Sequence, residues 1–194
     1  MSKIKLTSNY YWCGDIHKYW SILFLIMMLV FGYTDLSQSD WVDEFIKYFT
    51  SSFFFENIGK NYAVSEFYQY VRLVFLVSTL LMPFIFFSFM YCTRKRWKDH
   101  VDYVTKNNTH FQYMLYIWFA PFLGYAFMVD ILDFWGEPSS NEDTFSGRPF
   151  SYILTHSIFM NTAWVYMLVV GFCHSLANAI NFILIGIEKE KFRK

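Results

Sequence analysis

Charged residues are scarce in this chain of 194 residues, at 16% of the sequence, whereas a soluble globular domain carries about 25%. Aromatic residues make up 24% of the sequence and hydrophobic residues 55%. A chain of this length cannot bury so many large rings in one water-soluble core. The shortage of charge therefore excludes an ordinary soluble domain and favours burial in a lipid bilayer.

Cysteines are few, and the motifs of common catalytic sites are absent. Cys13, Cys92 and Cys173 lack metal-site spacing and fall outside the external loops predicted below, so we expect no disulfide. The sequence contains no phosphate-binding or dinucleotide-binding glycine pattern, no zinc-protease motif and no nucleophile elbow. Nothing assembles a nucleophile, a base and an oxyanion site. We therefore predict a protein that is not an enzyme and that binds no metal or cofactor.

Four apolar stretches are candidates for membrane-spanning helices, which need about 20 residues each. They cover residues 19–33, 73–92, 111–134 and 152–187. The first is expected to be a retained span, because no small-residue cleavage site follows it. The fourth is too long for one perpendicular crossing, so it must tilt, continue as a helix beyond the bilayer, or break near Gly171. The sequence predicts an all-α, four-helix transmembrane bundle that forms a single domain over residues 1–194.

The sign of the charge alternates between the predicted spans. Net charges are +2 over residues 1–19, −4 over 34–71, +3 over 93–110, −4 over 129–151 and +2 over 188–194. Lys and Arg resist translocation, so positive segments stay on the cytoplasmic side. We therefore predict that both termini and the middle loop are cytoplasmic and that the two acidic loops are external. The basic middle loop is explained by this topology better than by nucleic-acid or lipid binding.

The first external loop contains an amphipathic segment. Aromatic residues recur in it at helical spacing: Trp41, Phe45, Tyr48, Phe49 and Phe53. Most of its charged residues fall on the other side, which predicts a helix that lies in the outer membrane interface. Its apolar face either packs on the bundle or docks a partner.

Polar side chains within the predicted spans are candidate binding residues, because each needs a partner or a purpose in lipid. His174, Asn178 and Asn181 of the fourth span follow one another at i, i+4 and i+7, and Asn161 extends the same stripe outward. The stripe forms hydrogen bonds between helices, contacts a partner helix, or lines a polar path. We favour the first role, because the inner halves of the spans contain no carboxylate that could serve an ion path.

A second candidate site lies at the predicted external ends of the spans. Asp130 and Asp133 lie one turn apart near the end of the third span. Arg72 opens the second span at the same predicted depth, and His156 lies near that depth on the fourth. These residues form either an ion-paired cluster or separate surface charges, and the sequence leaves both open.

The segment Gly147-Arg148-Pro149 closes the second external loop, directly before the long last span and its basic tail. A second span that contains Met82-Pro83 and ends at Thr93-Arg94-Lys95 precedes the short basic inner loop. This layout resembles the immunity proteins of pore-forming colicins of the colicin A type. Those are small inner-membrane proteins with four spans and both termini inside, and several carry a similar Gly-Arg-Pro turn. The resemblance covers the layout of residues 60–194, whereas the long aromatic first loop departs from it.

The resemblance implies a partner and a mechanism. Such a protein would sit in the bacterial inner membrane, bind the helical hairpin of the toxin's pore-forming domain and block channel opening, without a cofactor. It implies that Gly147, Arg148 and Pro149 give specificity, together with the external ends of the spans. One alternative is an entry or superinfection exclusion protein of a mobile element. Others are a small transporter and an accessory subunit of a membrane complex.

Overall fold

A computed structural model of the chain describes residues 15–52, 55–58, 67–95, 97–106, 110–130 and 157–192. Its helices are α1 (Asp15–Tyr33), α2 (Asp40–Thr50), α3 (Tyr68–Lys95), α4 (Trp97–Lys106), α5 (His110–Asp130) and α6 (Ile158–Phe192). A short 3-10 turn, Asp35–Gln38, connects α1 to α2. No strand occurs among these residues, which confirms the all-helical prediction for the described part of the chain.

Among the described residues, two helices are long and apolar enough to cross a membrane. They are α3 and the Ile158–Ile187 part of α6. Shorter apolar segments, Ser21–Tyr33 and Met114–Met128, lie within α1 and α5. The length and composition of α3 and α6 suggest a membrane protein, while the four-helix bundle and its topology stay predictions.

The last helix runs without interruption through Gly171. It has 35 residues and ends at Phe192, beyond the predicted end at Ile187. At about 1.5 Å per residue it is roughly 50 Å long, whereas a bilayer's hydrocarbon core is about 30 Å thick. Of the three alternatives for this span, a break near Gly171 does not occur, and the helix continues into the basic tail. The predicted start of this span, at Tyr152, lies outside the described residues.

The chain forms two compact units, and both are built from parts of several helices. The first contains the start of α1, the second half of α3, α4, and most of α5 and α6, within residues 1–22, 82–122 and 170–194. The second contains most of α1, α2, the first half of α3, the end of α5 and the start of α6, within residues 23–81 and 123–169. They are called unit 1 and unit 2 below.

In unit 1, α4 occupies the basic segment in which the sequence analysis placed only a loop. Trp97 and Val101 of α4 pack with Tyr116 of α5 and Phe182 of α6 around the buried Ile185. Trp97 and Val101 are four residues apart, which is the spacing of one face of a helix. This short periodicity was the sequence signal that could have revealed α4.

In unit 2, the fully buried residues of α2 are aliphatic and not aromatic. Val42 and Ile46 are fully buried, while Trp41 and Tyr48 are exposed. The helix is amphipathic as predicted, but its buried side is rotated toward the smaller side chains, which allow a close approach to neighbouring helices. The ring of Trp41 keeps an edge contact with Phe31 of α1, with 5.7 Å between the ring centroids. Of the two roles weighed for this helix, packing against its neighbours is the one described.

Gly32 of α1 lies where three helices of unit 2 meet. A Cβ atom at this position would collide with Ile158 of α6, and it would lie 2.9 Å from the ring of Tyr70 of α3. Both neighbours are buried and cannot easily move aside. The missing side chain therefore allows α1, α3 and α6 to approach one another closely.

We expect Gly32→Ala to lower the free energy of unfolding by about 2 kcal/mol, because overpacking a filled core costs about 1–3 kcal/mol. Gly186→Ala in α6 is the matched control, since a Cβ atom there meets nothing within 4 Å. It should leave stability unchanged or raise it through helix propensity. Thermal unfolding of both variants in the same detergent checks this, and equal midpoints would contradict the close approach at Gly32.

His100 of α4 lies outside the apolar spans and is buried. Its imidazole stacks on the ring of Trp97, with 5.9 Å between the ring centroids. Burial lowers the pKa of His100 from its ordinary 6.5 to about 4, because the charged form loses its hydration. The folded protein therefore excludes a proton that the unfolded chain accepts below pH 6.5.

Stability should fall as the pH is lowered from about 6.5 to 4, by on the order of 3 kcal/mol from His100 alone. Above pH 6.5 the imidazole is neutral in both states and contributes no slope. His100→Phe keeps an aromatic ring beside Trp97 but removes the titration. Thermal unfolding across this pH range should show a shallower acid loss for His100→Phe than for the parent chain. Superimposable profiles would show that burial of His100 does not set the acid response.

Candidate functional site

Arg72, from the predicted external cluster, is attached to α2. Its Nη2 donates a hydrogen bond to Thr50 Oγ1 at 3.3 Å, and its guanidinium carbon lies 5.4 Å from the centroid of the Tyr68 ring. Its Nε has no hydrogen-bond partner among the described residues. Arg72 therefore fixes the end of α2 to the start of α3.

The side chains of the other members of that cluster lie outside the described part of the chain. Asp130 is the last residue of α5, and nothing of its side chain is described. Asp133, His156 and the segment Gly147-Arg148-Pro149 lie outside the described residues. The ion-paired cluster and the toxin-contact turn therefore stay predictions.

Asn161 and Asn181 of α6 are buried and have no partner among the described residues. Their exposed fractions are 1% and 0%. Neither the Oδ1 nor the Nδ2 atom of either residue has a hydrogen-bond partner within the described part of the chain. Leaving a buried polar group unpaired costs about 1–3 kcal/mol, so these two carboxamides destabilise the packed state.

His174 and Asn178 form a pair within α6, in unit 1. Asn178 Nδ2 donates to the carbonyl oxygen of His174 at 2.9 Å and lies 3.0 Å from His174 Nε2. With the amide nitrogen as donor, His174 Nε2 is the acceptor of this contact. The rings of Phe89 from α3 and Tyr116 from α5 contact the imidazole edge to face, at 5.2 and 5.4 Å between centroids. Aromatic rings from two other helices therefore contact the histidine of the pair.

Two hydrogen bonds between α6 and α3 come from residues that the sequence analysis did not select. Thr162 Oγ1 donates to the carbonyl oxygen of Ile158 at 2.8 Å, so the hydroxyl of Tyr70 donates to Thr162. In unit 1, the Cys173 thiol donates to the carbonyl oxygen of Met82 at 3.5 Å, directly before Pro83. Thr162 follows Asn161 and Cys173 precedes His174, so the predicted stripe lies one position away from the residues that connect α6 to α3.

The described residues contain no group of three His, Cys, Asp or Glu side chains that could hold a metal ion. Comparisons with protein-family models, curated proteins and solved structures yield no match. The part of the chain that the structure describes therefore defines a class of protein: all-helical, with two helices long and apolar enough to cross a membrane.

Asn181→Leu should raise the free energy of unfolding by about 1–2 kcal/mol, because it replaces an unpaired buried carboxamide with an apolar side chain of similar volume. Asn178→Leu is the matched control on the same helix, since it removes two hydrogen-bond contacts and should destabilise the protein. Thermal unfolding in detergent measures both. Destabilisation by Asn181→Leu as large as that by Asn178→Leu would mean that Asn181 is paired in the folded protein.

Proposed function

We propose that the chain is a bacterial inner-membrane protein with four spans and both termini in the cytoplasm. The observation that supports this setting is the exposure of large apolar side chains on all four long helices, for example Ile26 in α1, Phe84 in α3, Trp118 in α5 and Met167 in α6. Apolar surface of this extent is incompatible with a monomer in water and suits a lipid environment. The alternating charge of the connecting segments supplies the orientation.

Within this setting, we propose that the protein is an immunity protein that protects its host from a pore-forming toxin of the colicin type. The layout around Gly147-Arg148-Pro149 supports the family, and the structure supports the manner of binding. Trp118, Phe119 and Phe122 of α5 are exposed and form an aromatic ridge on unit 1. In lipid, helices associate through van der Waals packing, and aromatic rings offer large contact areas. The ridge therefore suits lateral contact with an apolar hairpin.

The mechanism needs no reaction and no cofactor. A pore-forming domain inserts an apolar hairpin and must then add further helices to conduct ions. A lateral complex with α5 would occupy the surface that the next toxin helix needs, so the channel would stay closed. Arg148, at the predicted external end of the last span, would add a charged contact that distinguishes one toxin from another.

Expression in a sensitive bacterium and challenge with a panel of pore-forming toxins tests this function. We expect survival against one toxin or a few related ones and no protection against toxins that act as nucleases. Detection of the protein in the membrane fraction must accompany the challenge. Full sensitivity to every pore-forming toxin, with the protein present in the membrane, would refute the proposal.

Arg148→Glu should lower protection by at least about tenfold in toxin titre, since reversing one close charge costs more than about 1.4 kcal/mol of binding. Insertion into the membrane should be unaffected, because the residue lies in a predicted loop. Lys60→Glu makes the same charge change in the other predicted external loop and serves as control. Equal protection by the two variants would remove Arg148 from the contact.

A further inference from the structure

The exposed side of α3 changes from apolar to cationic toward the end of the helix. Phe84, Phe87 and Tyr91 are 73%, 66% and 68% exposed, and Arg94 and Lys95 beyond them are exposed as well. These five residues follow one another at intervals that keep them on one side of a helix. We refer to them as the α3 stripe, and all of them belong to unit 1.

Trp97 of α4 holds the guanidinium group at the end of the stripe. The guanidinium carbon of Arg94 lies 4.4 Å from the centroid of the Trp97 ring, within the range of a cation–π contact. Trp97 is itself packed against the buried Ile185 of α6. A guanidinium stacked on a ring keeps its N–H groups at the edge, where they can donate to a phosphate. Arg94 is therefore positioned, whereas an exposed side chain of this length usually samples many rotamers.

The end of the stripe carries a concentrated positive charge. Lys98 of α4 is exposed and adds a third described cation to Arg94 and Lys95. Over residues 94–99 the sequence contains four basic residues and one acidic residue, a net charge of +3. A group that carries negative charge without a compensating cation is the ligand that such a cluster attracts.

The order of side chains along the stripe matches the order of groups in a phospholipid. From Phe84 to Arg94 the helix rises about 15 Å, and from Tyr91 to Lys95 about 6 Å. We propose that the α3 stripe binds an anionic phospholipid. Arg94, Lys95 and Lys98 hold its phosphate, Tyr91 contacts the ester region, and the two phenylalanines line an acyl chain. The inference depends on the membrane setting proposed above but not on toxin binding.

Headgroup charge decides which lipid occupies the stripe. Phosphatidylglycerol presents an uncompensated phosphate, whereas phosphatidylcholine brings a quaternary ammonium group next to three cations. Each basic residue near an anionic lipid contributes a favourable interaction that falls off within a Debye length. The stripe should therefore discriminate between two lipids that have identical acyl chains.

Native mass spectrometry of the full chain tests the inference. The protein is mixed in detergent with equal amounts of the two lipids and is then released from the detergent in the spectrometer. We expect the parent chain to retain phosphatidylglycerol over phosphatidylcholine by at least about fivefold, since three cations contribute. The triple variant Arg94→Gln, Lys95→Gln, Lys98→Gln should lose this preference. Lys47→Gln in α2 changes an exposed lysine far from the stripe in sequence and should keep it. The double variant Lys95→Gln, Lys98→Gln should show an intermediate preference for phosphatidylglycerol. It provides the test if the triple variant does not fold.

Contrary results distinguish a failure of the lipid-site proposal from a failure of the proposed membrane setting. If both the triple and the double variant keep the full preference for phosphatidylglycerol, the proposal that the α3 stripe binds this lipid is overturned. Equal retention of the two lipids by the parent chain, or retention of neither, would overturn the lipid site, while absence of the protein from the membrane fraction would overturn the membrane setting. Inorganic phosphate should not raise the thermal midpoint as phosphatidylglycerol does. An equal rise would show that the cluster binds a free anion and not a lipid.

Discussion

The close approach of α1, α3 and α6 at Gly32 is the constraint on which the packing of unit 2 depends. Because Gly32 has no side chain, the ring of Tyr70 and the side chain of Ile158 occupy the space beside α1. Tyr70 can then place its hydroxyl on Thr162, one turn further along α6. In lipid, where apolar side chains gain little by leaving the solvent, such short contacts and hydrogen bonds hold helices together.

The polar groups of α6 divide into those that connect helices and those that do not. Thr162 and Cys173 donate hydrogen bonds, and both lie on the side of α6 that touches α3. Asn161 and Asn181 are equally buried but remain unpaired among the described residues. A buried carboxamide without a partner costs stability, so these two residues differ in their energetic role from Thr162 and Cys173.

The stripe on α3 and the ridge on α5 show how one small unit can offer two different surfaces. Phe87 and Tyr91 lead to a cationic end at Arg94, which suits a lipid headgroup. The rings of Phe119 and Phe122 contact each other edge to face, at 6.2 Å between centroids, and extend an apolar surface that suits another helix. The positive charge at the end of α3 distinguishes its proposed lipid site from the proposed helix-binding ridge on α5.

The sequence by itself determined the helical class and the approximate extent of the apolar segments, because both follow from local composition and periodicity. The alternation of charge predicts an orientation on the same local grounds. The amphipathic segment from Trp41 to Phe53 was predicted as a helix, yet which of its faces is buried depended on neighbours that the sequence does not show. The structure places Val42 and Ile46 inside and Trp41 outside.

The pairing of side chains was decided only by tertiary structure. Spacing identified His174, Asn178 and Asn181 as one stripe, but it could not show that the first two bond to each other while the third has no described partner. The contact between Tyr70 and Thr162 joins residues 92 positions apart, and the space that it requires depends on a glycine in a third helix. Periodicity reports which side of a helix is apolar, whereas the distance between two helices is set by every side chain between them.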